Sequence, residues 1–281
     1  MPQTDSKCCG SKSCGTEPSL LAKNHFILRR LHSLTGIIPV GVFCTVHLFT
    51  NFQILLQQFF GETDIFQHEV DFIHSLPALI FIEIGLWSTI AFHAILGIAY
   101  TLQGKSNVQN YKHLNNWRYT MQRVTGVIAL IFIFLHVATL RWRWDFFGWF
   151  TPFYAHGPNG EPLVTASTAY ALQASWLVSA LYLVGALGVV YHWANGLWTA
   201  AITWGITISP KAQQRWGQCC LALGLALSVF TVGAIAGANM YQITPNELQA
   251  IEAMKAKLKH VEQATPAKVE IKVDEHAGHT H

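Results

Sequence analysis

Five stretches of this chain, residues 34–59, 77–102, 124–140, 174–203 and 216–238, are long and apolar. A helix needs roughly 20 mainly apolar residues to cross the hydrocarbon of a bilayer. Inside that hydrocarbon there is no water, so every backbone N–H and C=O has to be satisfied within the segment itself. The stretches therefore predict an all-α membrane protein with five transmembrane helices. Composition agrees, with 51% hydrophobic and 12% charged residues, where a soluble domain carries about 25% charged residues. A chain of this kind has the lipid bilayer as its first partner, and no nucleic-acid partner is expected.

Orientation follows from the basic residues, because short cytoplasmic loops carry the excess of Lys and Arg. Lys7, Lys12, Lys23, Arg29 and Arg30 precede the first span, Lys105, Lys112, Arg118 and Arg123 lie between the second and third, and Lys211 and Arg215 lie between the fourth and fifth. The opposite side has Arg141 and Arg143 in its loops, and its first loop carries Glu62, Asp64, Glu69 and Asp71. The N-terminus is expected in the cytoplasm and the C-terminus outside. The first 30 residues are polar and basic with no apolar h-region, so no cleavable signal peptide is expected.

The chain divides into an N-terminal extension at 1–24, a membrane domain at 25–241 and a C-terminal tail at 242–281. The tail opens with a helical pattern, PNELQAIEAMKAKLKH, and ends in an Ala, Pro and charge-rich segment that reads as disordered. The cysteines make no disulfide framework: Cys44, Cys219 and Cys220 lie in or at spans, and Cys8, Cys9 and Cys14 face a reducing compartment. KCCGSKSCG reads as flexible tail rather than a metal site, and the terminal HAGHTH is a weak compositional signal for metal.

Each of the first four spans contains a histidine: His47, His93, His136 and His192. An ionisable residue inside a membrane is costly and is a site hypothesis by default. A single such histidine is explained by a hydrogen bond across a helix interface, but one on each of four helices favours shared ligation. Depth then pairs them. With a rise of about 1.5 Å per residue, His47 lies about 25 Å beyond Arg30, near the outer face. His136 lies just before Arg141, at the same face. The second and fourth spans run inward, so His93, about 24 Å beyond Pro77, and His192 fall in the inner half. The pairs are His47 with His136 and His93 with His192.

Two imidazoles per level are too few for a zinc site, which takes four protein ligands or three and a water. A porphyrin supplies four donors itself and leaves two axial positions, so haem suits the pattern. Sites at two levels would let an electron cross between the faces, exchanging about 2.3 kcal/mol per 100 mV of membrane potential. The first four helices are thus expected to form a haem-binding bundle.

The blocks RRLHSLTGIIPVGVFCTVHLFTN, QRVTGVIALIFIFLHV and HWANGLWTAAITWGITISP, which carry three of these histidines, resemble the di-haem cytochrome b subunit that anchors bacterial succinate dehydrogenases and fumarate reductases. The resemblance covers about residues 25–240. It implies two b haems, a distal one on His47 and His136 and a proximal one on His93 and His192. It also implies a flavoprotein with covalent FAD and an iron-sulfur subunit docked on the cytoplasmic side, and exchange of electrons with a quinone, usually menaquinone. The place implied is the cytoplasmic membrane of a bacterium, in the respiratory chain and the tricarboxylic acid cycle.

Other residues are weighed beside the histidines. Glu83, at the outer end of the second span, is a candidate to accept a proton when quinol is oxidised, against the plainer reading of a carboxylate bonded to a neighbouring helix. Arg30, His32, Ser33 and Arg123, at the inner end, are candidates for contacts to haem propionates, and Arg29 reads equally as an interfacial charge. His74 reads as interfacial, and His68 and His113 as loop residues. GAIAG at 233–237 spaces small residues for a close helix contact. Two alternatives remain from the residues alone: a cytochrome b anchor for a different dehydrogenase, and a transporter using the histidines as a proton relay.

Overall fold

The computed structural model describes residues 23–61, 65–142, 144 and 155–264. The cysteine-rich N-terminus, Glu62, Asp64, Arg143 and the terminal HAGHTH lie outside the described residues. Among the described residues, five helices are long and apolar enough to span a bilayer: α1 (His25–Phe60), α3 (Leu79–Gln103), α4 (Leu114–Leu140), α6 (Trp176–Thr203) and α7 (Pro210–Met240). No more than 22% of the apolar window of any of them is buried inside the protein, and Phe81, Ile131, Val184 and Leu221 point outward. Only a lipid solvent makes that arrangement favourable, so the chain is a multi-pass membrane protein.

The spans run further than their apolar windows. α1 begins at His25 and α4 at Leu114, because helical hydrogen bonding continues into the polar flank where hydropathy has already ended. The starts of α6 and α7 are set by caps. The Ser175 side chain accepts from the Leu177 N–H, and the Ser209 side chain accepts from the Ala212 N–H with Pro210 in the first turn.

Two short helices, α2 (Ile65–Ser75) and α5 (Val164–Gln173), occupy one end of the bundle. Sequence reading places His68 in a loop, whereas it lies in α2; His113 sits directly before α4. These helices were hidden because they are held by tertiary burial rather than by a long apolar run. Phe66 of α2 and Val164 and Leu172 of α5 pack with Ile54 and Ala238 into one buried cluster. The start of the tail forms α8 (Pro245–Ala264), whose Ile251 is fully buried against Ala155 and Ala166.

The fifth span, α7, packs closely on α1 and α6. A Cβ on Gly237 would meet the backbone N and Cα of Leu55, and one on Gly233 would meet the Phe52 ring, so small residues set this approach. α1 is interrupted by a π-helical segment at Gly36–Gly41 that contains Pro39. A proline has no N–H to give to the helix, and a wide turn accommodates its ring. That segment packs against α3 and α6.

Candidate functional site

The four intramembrane histidines meet in two pairs. The rings of His47 on α1 and His136 on α4 lie 5.9 Å apart between centres, at 74° to each other. Those of His93 on α3 and His192 on α6 lie 6.1 Å apart at 89°. These are the pairs that depth selects. Imidazoles that shared one metal ion through bonds of about 2.0 Å would have ring centres separated by about this distance.

The two pairs are stacked along the bundle. A Cβ on Gly36 of α1 would meet the His93 ring, which places Gly36 at the level of the second pair, and His47 follows eleven residues later. A Cβ on Gly126 of α4 would lie 2.9 Å from His192 Cε1, and His136 follows ten residues later. Both helices therefore put the levels about 15 Å apart along their axes.

Hydrogen bonds fix the imidazoles of the second pair. His93 Nδ1 lies 2.8 Å from the His32 carbonyl oxygen, and His192 Nδ1 lies 3.0 Å from that of Gln122. A carbonyl only accepts, so each Nδ1 carries the proton and each Nε2 keeps its lone pair for a metal. The first pair is held differently. Asn51 donates to the His47 carbonyl at 2.7 Å and touches the His47 ring, while His136 Nδ1 is buried with no hydrogen-bond partner among the described residues. Phe132 and Tyr182 pack on the His136 ring.

Among the described residues, no cluster of three or more His, Cys, Asp or Glu side chains is placed to hold a metal ion. A pair of imidazoles with ring centres about 6 Å apart offers two nitrogen ligands and would suit a metal that brings its other donors with it, as a haem does.

The end of the bundle where α1 begins, α3 ends and α4 begins collects cations and aromatic rings. His32 stacks on His93 with ring centres 3.9 Å apart. Arg30 lies over Phe26 and Arg123 lies 3.6 Å over the Tyr119 ring. Arg30 Nε, His32 Nδ1, Tyr100 Oη and Arg123 Nε are buried without a hydrogen-bond partner among the described residues. Unmet buried donors of this kind are expensive and fit a site that receives an anion. Ser33 is already engaged, donating to the Arg30 carbonyl at 2.9 Å and accepting from Trp204 at 2.8 Å.

At the opposite end Glu83 is ion-paired rather than solitary. Arg141 donates to it through Nε at 3.1 Å and through a terminal nitrogen at 3.0 Å, and the carboxylate side chain remains 26% exposed. Beside this pair is a pocket of about 290 Å³ lined by Asp71, His74, Arg141, His156 and apolar residues. Neither the pocket nor Tyr100, Gln122 and Asn195 was singled out from the sequence. The available signal was polarity inside or next to an apolar span, as in the asparagine of HWANG.

No family model matches the chain. It is similar to the succinate dehydrogenase cytochrome b558 subunit of Bacillus subtilis (strain 168), with 34% identity over 216 residues, 75% of this chain and 95% of that subunit.

Proposed function

The chain belongs to the succinate dehydrogenase cytochrome b family, and from that membership we propose that it holds two b haems and passes electrons through them between an iron-sulfur partner and a quinone. As a member of that family it is a membrane-anchor subunit; oxidation of succinate takes place on another chain, a flavoprotein with FAD. Family membership also favours this reading over an anchor for another dehydrogenase and over a histidine-relay transporter.

The observation that carries the proposal is the meeting of the four imidazoles as two pairs, at 5.9 and 6.1 Å between ring centres. His93 and His192 hold the proximal haem and His47 and His136 the distal one. A haem at each level supplies a one-electron iron couple within the bilayer. The Arg30, Arg123, His32 and Tyr100 side chains take the proximal propionates, which would give their unmet buried atoms charge-assisted partners. Ser33 holds Trp204 at this end instead of offering a free hydroxyl.

The pocket beside Arg141 receives the quinone head group, with menaquinone the expected species. Arg141 positions Glu83, whose partial exposure opens a route to water, and Glu83 takes up the proton released on quinol oxidation. The N-terminus and the iron-sulfur and flavoprotein partners lie on the cytoplasmic side of a bacterial membrane, with the C-terminus outside.

The test is a reduced minus oxidised optical spectrum with a pyridine haemochrome count, for the wild type and for His93→Ala. Two b haems per chain, falling to one or none in the variant, is the expected result. A wild-type spectrum without haem removes the proposal.

A further inference from the structure

Gln122 of α4 clasps His192 of α6 at two points. Its backbone carbonyl accepts from His192 Nδ1 at 3.0 Å, and its side-chain amide donates to the His192 carbonyl at 3.0 Å. The clasp is held from behind. Asn195, one turn along α6 and 4% exposed, donates to Gln122 Oε1 at 2.7 Å. Arg118, one turn back on α4, donates from Nε to Asn195 Oδ1 at 3.0 Å and lies 3.8 Å over the Trp198 ring. Trp198 in turn donates to the Gln213 carbonyl at 3.0 Å, in the first turn of α7. Gly196 leaves room for the whole arrangement, since a Cβ there would come within 3.2 Å of Gln122 Nε2.

We infer that Arg118, Asn195 and Gln122 are positioning residues that fix the ring orientation and the protonated nitrogen of His192, and thereby tune one of the two haems without touching it. This rests on His192 being a haem ligand. Each amide in the chain has one orientation that satisfies it. Arg118 can only donate, so Asn195 must offer its oxygen there and its NH₂ to Gln122. Gln122 must then offer its oxygen to Asn195, which leaves its NH₂ for the His192 carbonyl. In the other pair Asn51 donates to the His47 carbonyl at 2.7 Å, but His136 has no such clasp among the described residues, its Nδ1 being without a partner. An imidazole whose N–H is held by a carbonyl is a more basic ligand and favours oxidised iron. Loosening the clasp therefore raises the midpoint potential of one haem and leaves the other in place.

The experiment is a potentiometric optical titration of the purified complex carrying wild type, Gln122→Met, Asn195→Asp or Arg118→Lys. Gln122→Met removes the amide at similar volume. Asn195→Asp keeps the volume and the contact to Arg118 but removes the donor to Gln122. Arg118→Lys keeps the charge and loses the fixed Nε donor. The expected result is two haems per chain, with one midpoint raised in Gln122→Met and Arg118→Lys, the same midpoint shifted in Asn195→Asp, where the added carboxylate opposes the rise, and the second midpoint unchanged. Loss of a single haem from a variant also supports the assignment. Wild-type midpoints in the variants that retain both haems overturn it, and if Gln122→Met fails to assemble, the two volume- or charge-preserving variants decide. Absence of two b haems from the wild type itself would instead remove the haem reading on which the inference stands.

Discussion

Gly36 and Gly126 are small because imidazoles occupy the space a side chain would take. Gly36→Ala would push a methyl into the His93 ring and Gly126→Val would push two into His192. Both are expected to lower the haem count from two toward one and to cost about 1–3 kcal/mol of stability through overpacking, as haemochrome assay and thermal unfolding would record. Gly85→Ala on α3, where nothing lies within 4 Å, is the matched control and should leave both unchanged. At the other level, Glu83→Gln keeps the shape of the side chain but removes the charge that meets Arg141. Quinone turnover should fall to background with two haems retained, and turnover at the wild-type rate would take Glu83 out of the proposed proton step.

Among the elements, α7 and α8 lie outside the two histidine pairs, and their contacts are packing contacts. Gly237 faces the backbone of α1, which has no side-chain freedom with which to yield. Gly237→Val should therefore separate α7 from α1 and lower the midpoint of thermal unfolding more than Gly233→Ala, whose neighbours are side chains that can rotate. α8 is anchored by Ile251, and by Lys255, which donates to the Tyr170 hydroxyl at 2.6 Å while that hydroxyl donates to Glu252. Ile251→Ala removes a fully buried side chain and should weaken the docking of α8 by about 2–4 kcal/mol. Faster proteolytic cleavage at residues 242–264, with haem content unchanged, would be its signature. The π-helical segment of α1 brings Gly41 against the Trp193 ring and Gly36 against His93, so one irregular turn serves contacts to two neighbouring spans.

For the molecule as a whole, sidedness is testable in intact cells lacking the native cysteines. A cysteine at position 159 should react with a membrane-impermeant maleimide from outside and one at position 110 should not; the reverse labelling would invert the proposed topology. The five spans were legible in the sequence because hydrocarbon imposes a length and a composition that survive without knowledge of neighbours. Their ends, α2 and α5 were not, since caps and local burial do not alter a hydropathy window. The histidines were legible as residues, and their pairing as a matter of depth, because a helix converts residue number into distance along the membrane normal. Which ring nitrogen of His93 and of His192 is free, the clasp of Gln122 and Asn195 on His192, and the ion pair between Glu83 and Arg141 were decided only by the tertiary structure. Each depends on the rotation of one helix about its axis relative to another, and that rotation is set by side-chain packing between segments distant in the chain.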